Sequence, residues 1–371
     1  MKKIMFFIPT LGHGGAEKVL VNLVNNMDKE KFDVTVQTLF DEGVNKQYLN
    51  PGVRYKSFMK RSFRGNSHIF ASLPAGFLYR HIVKERYDII VSYLEGPTTH
   101  IISGCPFGNT KRVAWIHIEL GDNKKLSEGF RSKKSAISAY RNMEKIVCVS
   151  ETVKSVFEQT SGVRFPQIGV LYNTIETAQI LRKAKEPIDD VAFDSNEVNV
   201  ISVAKIMYSK GYDRLARVHN RLIREGVNHH IYILGVGEEQ GKIEKYLAEN
   251  GLQNSFTFLG FRDNPYKYVS AADMYICSSR REGISTAVTE SLIVGTPVVS
   301  TACSGARELL GENNEYGIVV DNSEDGIYEG MKMMLSDEAL RKEYAVKAAE
   351  RGGVFSTEKT VKAVEELLES I

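Results

Sequence analysis

Long apolar runs are missing from this sequence of 371 residues. A helix that crosses a bilayer needs roughly 20 consecutive apolar residues, and no stretch approaches that length. The apolar segments that do occur, such as Ile4 to Pro9, have the length of buried strands. The sequence therefore excludes a helical membrane-spanning protein, and we expect any membrane attachment to be peripheral.

Cysteine is scarce as well, since the chain has only four: Cys105, Cys148, Cys277 and Cys303. They lie far apart, without the spacing of metal ligands or of a redox pair. Cys148 and Cys277 fall inside apolar strand segments, where a buried thiol is the usual state. We therefore expect a protein of the reducing cytoplasm.

Two cofactor motifs are absent. No Asp-x-Asp pair, which would hold Mg²⁺ or Mn²⁺, occurs anywhere in the sequence. The glycine turn from Thr10 to Glu17 is not the Gly-x-Gly-x-x-Gly fingerprint of dinucleotide binding. We therefore expect neither a metal nor another cofactor.

What is present is the pattern of an α/β protein. Apolar strand segments alternate with amphipathic helices in two similar blocks, which predicts a doubly wound parallel sheet in each. The length exceeds what one core usually supports. We predict a first domain over 1–175, a charged linker over 176–196, a second domain over 197–350, and a terminal helix within 351–371 that packs on the first domain.

Charge is distributed unevenly. Residues 1–175 carry 25 Lys and Arg against 15 Asp and Glu, a net +10, and the remainder carries a net −8. Aromatic residues stand among the basic ones from Phe58 to Lys84, and a second basic cluster follows at Lys124 to Lys134. Such a field attracts anionic partners. We expect an anionic membrane surface or a lipid diphosphate, and no nucleic acid.

The most informative stretch runs from Met274 to Val299. Met274 to Cys277 predicts a strand, and Ser285 or Thr286 can cap a helix that stops at Gly295. The free backbone N–H groups at Ile284, Ser285 and Thr286 would suit a phosphate. Glu282 in the turn and Glu290, about one helical turn inside the helix, can accept hydrogen bonds from the hydroxyls of a sugar and a ribose.

Other candidates lie at the ends of predicted strands, where open α/β sheets bind ligands. The turn at Gly14-Gly15 lets the backbone approach a ligand closely. His117 follows a strand of the first domain, and Lys205 and Lys210 follow the first strand of the second.

The motif Glu282 to Glu290, followed by Ser291-Leu292 and Gly295-Thr296-Pro297-Val298-Val299, resembles the signature of the family 4 retaining glycosyltransferases. The resemblance extends from Gly14 to about Tyr344. It implies the GT-B architecture, two Rossmann-like domains that face a cleft. It also implies a nucleotide-sugar donor and an acceptor that is a growing glycan. We predict a UDP-linked donor and a lipid-linked acceptor.

The resemblance also implies roles for the candidate residues. His117, Glu282 and Lys210 would be catalytic, with His117 near the donor sugar and Glu282 on its hydroxyls. Glu290 would bind the ribose. The donor diphosphate would be bound by Gly14, Gly15, Lys205, Lys210, Ile284, Ser285 and Thr286. Arg262 and Asn264 would lie in the turn that holds the nucleobase. The family usually has Arg where this chain has Lys205, which predicts a weaker contact there.

For the mechanism, the resemblance implies departure and attack on one face of the sugar, with the phosphate taking the acceptor proton and no metal involved. Two alternatives remain open: a non-catalytic partner subunit of glycosyltransferase type, and a nucleotide-sugar epimerase or phosphorylase of the same architecture. The expected location is the cytoplasm, peripherally at the inner face of the membrane.

Overall fold

The computed structural model describes residues 1–12, 15–191, 193–194, 196–282 and 284–371. Contacts within the chain divide it into two compact units: Met1–Ile175 with Thr357–Ile371, and Glu176–Ser356. Each unit has a parallel sheet and a core of its own. The predicted fold class, two Rossmann-like α/β domains, is therefore confirmed. In this described part of the chain, no helix combines the length and the apolar character that crossing a membrane requires.

The first unit has a seven-stranded parallel sheet in the order β3-β2-β1-β4-β5-β6-β7. The strands are β1 (Lys2–Ile8), β2 (Phe32–Phe40), β3 (Arg54–Met59), β4 (Ile89–Ser92), β5 (Lys111–Ile116), β6 (Lys145–Cys148) and β7 (Ile168–Val170). The helices are α1 (Gly15–Asn26), α2 (Asn66–Ser72), α3 (Ala75–Ile82), α4 (Pro97–Ser103), α5 (Asn123–Leu126), α6 (Lys133–Arg141) and α7 (Glu151–Ser161).

The central strand β1 shows why this sequence forms a parallel sheet. Ile4, Met5, Phe6, Phe7 and Ile8 are all fully buried. Consecutive burial means that both faces of the strand are covered, which is typical of parallel sheets with helices on each side. The strand order reverses between β1 and β4, so the carboxyl ends of these strands define the switch point where such sheets bind ligands.

The second unit has a six-stranded parallel sheet in the order β10-β9-β8-β11-β12-β13. The strands are β8 (Val198–Val203), β9 (His229–Leu234), β10 (Phe256–Gly260), β11 (Met274–Cys277), β12 (Val298–Thr301) and β13 (Ile318–Val320). The helices are α8 (Thr177–Ala184), α9 (Tyr212–Arg224), α10 (Gln240–Glu249), α11 (Tyr266–Ala271), α12 (Thr286–Ile293), α13 (Ala306–Leu310), α14 (Glu324–Ser336) and α15 (Glu338–Gly352).

The segment 176–196 differs from the linker that its composition predicts. It contains α8, whose Ile180 is buried, and it belongs to the second unit. Side chains from α11 tie it down: Ser270 Oγ donates to Ala184 O at 3.0 Å, and Lys267 Nζ donates to Pro187 O at 2.7 Å. The segment looks like a linker because its charged side chains are exposed and little of it is buried.

The last helix, α16 (Thr357–Glu369), is grouped with the first unit. Its Val361, Val364 and Leu368 lie in the core of that unit. Lys2 Nζ donates to the carbonyl oxygen of Leu368 at 2.9 Å, which joins the start of β1 to the end of the chain. Removing α16 would therefore expose part of the first core.

Candidate active site

The switch point of the second unit brings together two loops that are far apart in the sequence. The strand order reverses between β8 and β11. The loop after β8 carries Lys205 and Lys210, and the loop after β11 carries Glu282. Because both strands are parallel and adjacent, their carboxyl ends place the loops side by side.

A cavity of about 320 Å³ lies between these loops. Six of the predicted site residues line it: Lys205, Lys210, Glu282, Ile284, Ser285 and Thr286. Ser202, Ser278 and Ser279 also line it. The cavity thus combines two lysines, a carboxylate and a helix start.

Lys210 and Glu282 form an ion pair in this cavity. Lys210 Nζ lies 2.6 Å from Glu282 Oε1, and the same oxygen accepts a hydrogen bond from Ser279 Oγ at 2.6 Å. The two side chains are 22% and 14% exposed, so water is largely kept away from the pair. Charge-assisted hydrogen bonds of this kind hold both head groups in fixed positions.

The helix α12 supplies the anion-binding end of the cavity. Ser285 is its N-cap residue, with extended backbone angles, and its side chain accepts from Val288 N. The remaining N–H groups of the first turn have no partner within the helix, and its dipole is positive at this end. The predicted strand, capped helix and following strand are confirmed.

Glu290 lies inside α12, outside the residues that line the cavity. Its Oε1 accepts a hydrogen bond from Tyr266 OH at 3.2 Å. Burial raises the pKa of Tyr266, and the nearby Glu290 carboxylate raises it further. The carboxylate is therefore already oriented by one hydroxyl, and its role toward ribose stays a prediction.

The side chains of Arg262 and Asn264 bind the end of α8 and the segment that follows it. Arg262 Nη2 forms an ion pair with Asp190 at 2.9 Å, and Asn264 Nδ2 donates to Lys183 O at 2.9 Å. These contacts stabilise the turn that follows β10. The role of this turn toward a nucleobase stays a prediction.

In the first unit, His117 follows β5 at the carboxyl edge of the sheet. Its ring lies against Tyr93 at a centroid distance of 4.7 Å, and its enclosed Nε2 has no hydrogen-bond partner among the described residues. Burial lowers the pKa of His117 to about 3, although a hydrogen bond to the Tyr93 backbone opposes this shift. The imidazole is therefore neutral at physiological pH.

Glu95, which the sequence analysis does not single out, lies beside His117. It follows β4, and its Oε2 accepts the backbone N–H of His117 at 2.9 Å. Burial raises the pKa of Glu95 to about 6 despite that hydrogen bond. The one signal in the sequence that points to Glu95 is its position shortly after the buried strand β4, which ends at Ser92.

Gly14 lies outside the described residues. Gly15 begins α1, and a methyl group there would meet nothing within 4 Å, so packing does not require glycine.

The fold and the cavity define a class: a protein with two parallel-sheet α/β domains, one of which carries a basic pocket at its switch point. Comparison with known proteins identifies the family. Residues 13–179 match the model of the family described as Glycosyltransferase Family 4. Residues 184–351 match the model of the family described as Glycosyl transferases group 1. The chain belongs to this family of glycosyltransferases.

Individual relatives agree with the family. The chain is 29% identical over 364 residues to the N-acetylgalactosamine-N,N'-diacetylbacillosaminyl-diphospho-undecaprenol 4-alpha-N-acetylgalactosaminyltransferase of Campylobacter jejuni, with 96% of each chain covered. It is 28% identical over 241 residues to the lipopolysaccharide core biosynthesis glycosyltransferase LpsE of Rhizobium meliloti, covering 63% of this chain and 66% of LpsE. The crystal structure of Anabaena Alr3699/HepE in complex with UDP matches with a TM-score of 0.75 at 17% identity over all of both chains.

Proposed function

We propose that this protein transfers a sugar from a UDP-sugar to a growing, lipid-linked glycan, with retention of configuration at the transferred sugar. The observation that carries this proposal is the cavity of the second unit, where Lys205, Lys210, Glu282 and the start of α12 converge. The names of similar proteins support it: the Campylobacter relative acts on a diphospho-undecaprenol-linked sugar, and HepE is in complex with UDP.

Lys205 and Lys210 would bind the donor diphosphate together with the N–H groups of α12. Lys210 is paired with Glu282, so the ammonium is held at the cavity. A diphosphate entering beside it would share that ammonium, and the Glu282 carboxylate would accept hydrogen bonds from sugar hydroxyls. Glu290 would bind the ribose hydroxyls of the same donor.

The reaction breaks the bond between the anomeric carbon and the phosphate oxygen, and the electron pair leaves with UDP. The acceptor hydroxyl forms the new bond on the same face of the sugar, and its proton passes to the departing phosphate oxygen. The developing negative charge on the diphosphate is then the main demand on the site. Lysine ammonium groups and helix N–H groups stabilise such charge when they are fixed in advance. We therefore propose that transfer needs no metal.

The acceptor side of the proposal rests on the first unit. Its segment 58–84 exposes Phe58, Phe63, Ile69 and Phe77, with 38–49% of each residue accessible. Lys60, Arg61 and Arg64 are exposed in the same segment. An anionic leaflet attracts each such base by roughly 1 kcal/mol. We propose peripheral docking at the cytoplasmic leaflet, where a lipid-linked acceptor is available.

A mass-spectrometric assay tests the function. The purified protein is incubated with UDP-sugars and a panel of lipid-diphosphate-linked glycans. We expect free UDP and an acceptor heavier by one sugar, with the anomeric configuration of the donor retained by NMR. UDP release without an elongated acceptor, or an isomerised donor sugar, would instead support hydrolysis or epimerisation.

A further inference from the structure

Arg214 is an unusual buried cation next to the candidate active site. It lies in the first turn of α9, the helix that begins two residues after Lys210, and it is only 5% exposed. Burying a charge is costly, and the first turn of a helix is the positive end of its dipole. Burial also lowers the pKa of Arg214, although a guanidinium remains protonated. The contacts of the Arg214 guanidinium must therefore offset the cost of burying its charge.

The guanidinium binds the carbonyl groups at the start of the loop after β11. Its Nη2 donates to Ser278 O at 2.8 Å and to Ser279 O at 2.9 Å. A further hydrogen bond of 2.6 Å joins Nη2 to Asn322 Oδ1. Gly211 allows this close approach, because a Cβ there would lie 2.1 Å from Ser278 O and the residue has φ +70°. Arg214 thus fixes the backbone of two consecutive serines.

Those two serines hold the catalytic candidates through their side chains. Ser278 Oγ donates to Lys210 O at 2.9 Å, and Ser279 Oγ donates to Glu282 Oε1 at 2.6 Å. The carbonyl of each serine is therefore held by Arg214, and the hydroxyl of each holds a member of the Lys210–Glu282 pair. Arg214 is connected to both members without touching either.

Arg214 makes its hydrogen bonds to neutral groups. Within the described part of the chain its hydrogen-bond partners are carbonyl and amide oxygens, and it forms no ion pair. The adjacent acid, Asp213, is engaged in a two-bond ion pair with Arg280, at 2.6 and 2.8 Å. A buried cation without an ion-pair partner raises the electrostatic potential of its surroundings, since a low dielectric screens it weakly.

We propose that Arg214 is a positioning residue for the diphosphate site: it holds Ser278 and Ser279 so that Lys210 and Glu282 are in place, and it adds a positive charge behind the cavity. The inference rests on the proposed function, because it requires a nucleoside diphosphate in that cavity. It assigns to Arg214 an effect on the diphosphate and none on the nucleoside.

The test compares two ligands that differ only in the diphosphate. UDP and uridine are titrated into the wild type, Arg214→Met and Arg214→Lys, by calorimetry for UDP and by NMR for uridine. We expect Arg214→Met to weaken UDP binding about tenfold or more, which corresponds to about 1.4 kcal/mol, and to change uridine binding by less than about twofold. Arg214→Lys keeps the positive charge but lacks the planar guanidinium with its several N–H donors. Its loss of UDP affinity should therefore be smaller than that of Arg214→Met.

The matched control is Arg224→Met, which removes an exposed arginine from the end of the same helix. It should leave both affinities unchanged. If Arg214→Met does not fold by circular dichroism, the comparison rests on Arg214→Lys, which should still lose UDP affinity selectively. Equal losses for UDP and uridine, or no loss for UDP, would overturn the role of Arg214. A folded wild type that fails to bind UDP would instead overturn the proposed donor, and the inference with it.

Discussion

Lys210 Nζ and Glu282 Oε1 are 2.6 Å apart, although 72 positions separate the two residues in the sequence. They meet because their loops follow adjacent parallel strands at the switch point of the second sheet. We predict that Lys210→Ala and Glu282→Ala each lower the rate of sugar transfer by about 10²–10³-fold, the usual effect of removing one stabilising group from an active site. Initial rates of product formation measure this.

The control for these variants is Lys245→Ala, which removes a lysine that is 78% exposed on α10. It should transfer sugar at the wild-type rate. Circular dichroism should show all three variants folded, since neither Lys210 nor Glu282 belongs to the core. Wild-type turnover in either active-site variant would remove that residue from the mechanism.

Much of this site can be predicted from local sequence. Ser285 as a helix cap, the strand before it and the lysines after β8 each depend on a few neighbouring residues, and the structure has them as expected. Glu95 and Arg214 could not be found in that way. Glu95 matters through a contact with a residue 22 positions away, and Arg214 through carbonyls 64 and 65 positions away. No periodicity or spacing records such contacts.

The segment 176–196 shows a different limit of sequence patterns. Its helix α8 buries Ile180 but otherwise carries mostly partly or fully exposed side chains. Its position is fixed by hydrogen bonds from α11, such as Tyr268 OH to Asp190 at 2.7 Å. A helix held mainly by polar contacts to a distant element has the composition of a linker, which is why we predicted one.

Stability should depend on pH through the buried histidines, which include His219 and His229 as well as His117. His219 Nδ1 and His229 Nε2 are 2.8 Å apart in the second unit. Burial lowers the pKa of His219 to about 2, and that of His229 to about 4. Below pH 6.5, these imidazoles are protonated in the unfolded chain but stay neutral in the folded state. The free energy of unfolding therefore falls as pH falls. Each imidazole contributes a slope of up to about 1.4 kcal/mol per pH unit.

Urea denaturation between pH 7 and about pH 5 measures this slope by comparing the wild type with a His219 variant. Glu95, whose pKa burial raises to about 6, also titrates in this range, but it contributes equally to both proteins. His219→Gln should lower stability at pH 7 and flatten the dependence on pH. A variant with the wild-type slope would mean that this histidine does not cause the acid sensitivity.

We predict that chelation leaves transfer intact. The lysines and the helix start supply the positive charge that the leaving diphosphate needs, and the sequence has no Asp-x-Asp pair. Rates measured with excess EDTA should equal those measured with Mg²⁺. Activity that EDTA abolishes and Mn²⁺ restores would contradict a metal-independent mechanism.

Membrane binding should depend on the basic segment of the first unit. Co-sedimentation with vesicles should require anionic lipid and should decrease with added salt, because salt screens exposed charges. Changing Lys60, Arg61 and Arg64 to Glu should release the protein from the vesicles. The control changes Lys242 and Lys245 of the second unit to Glu and should bind as the wild type does. Equal binding to neutral and anionic vesicles, or none at low salt, would indicate a soluble acceptor.

The most direct test of the central claim is the melting temperature of the protein with and without UDP, measured for the wild type and for Lys210→Ala. A ligand at a hundredfold excess over its Kd stabilises the folded state by about 2.7 kcal/mol. For a domain of the size of the second unit, Glu176–Ser356, this corresponds to a shift in melting temperature of roughly 5–10 °C. We predict such a shift for the wild type with UDP, a much smaller one with uridine, and a reduced one for Lys210→Ala with UDP. An unchanged melting temperature at millimolar UDP, or an equal shift in Lys210→Ala, would contradict a diphosphate site at this cavity.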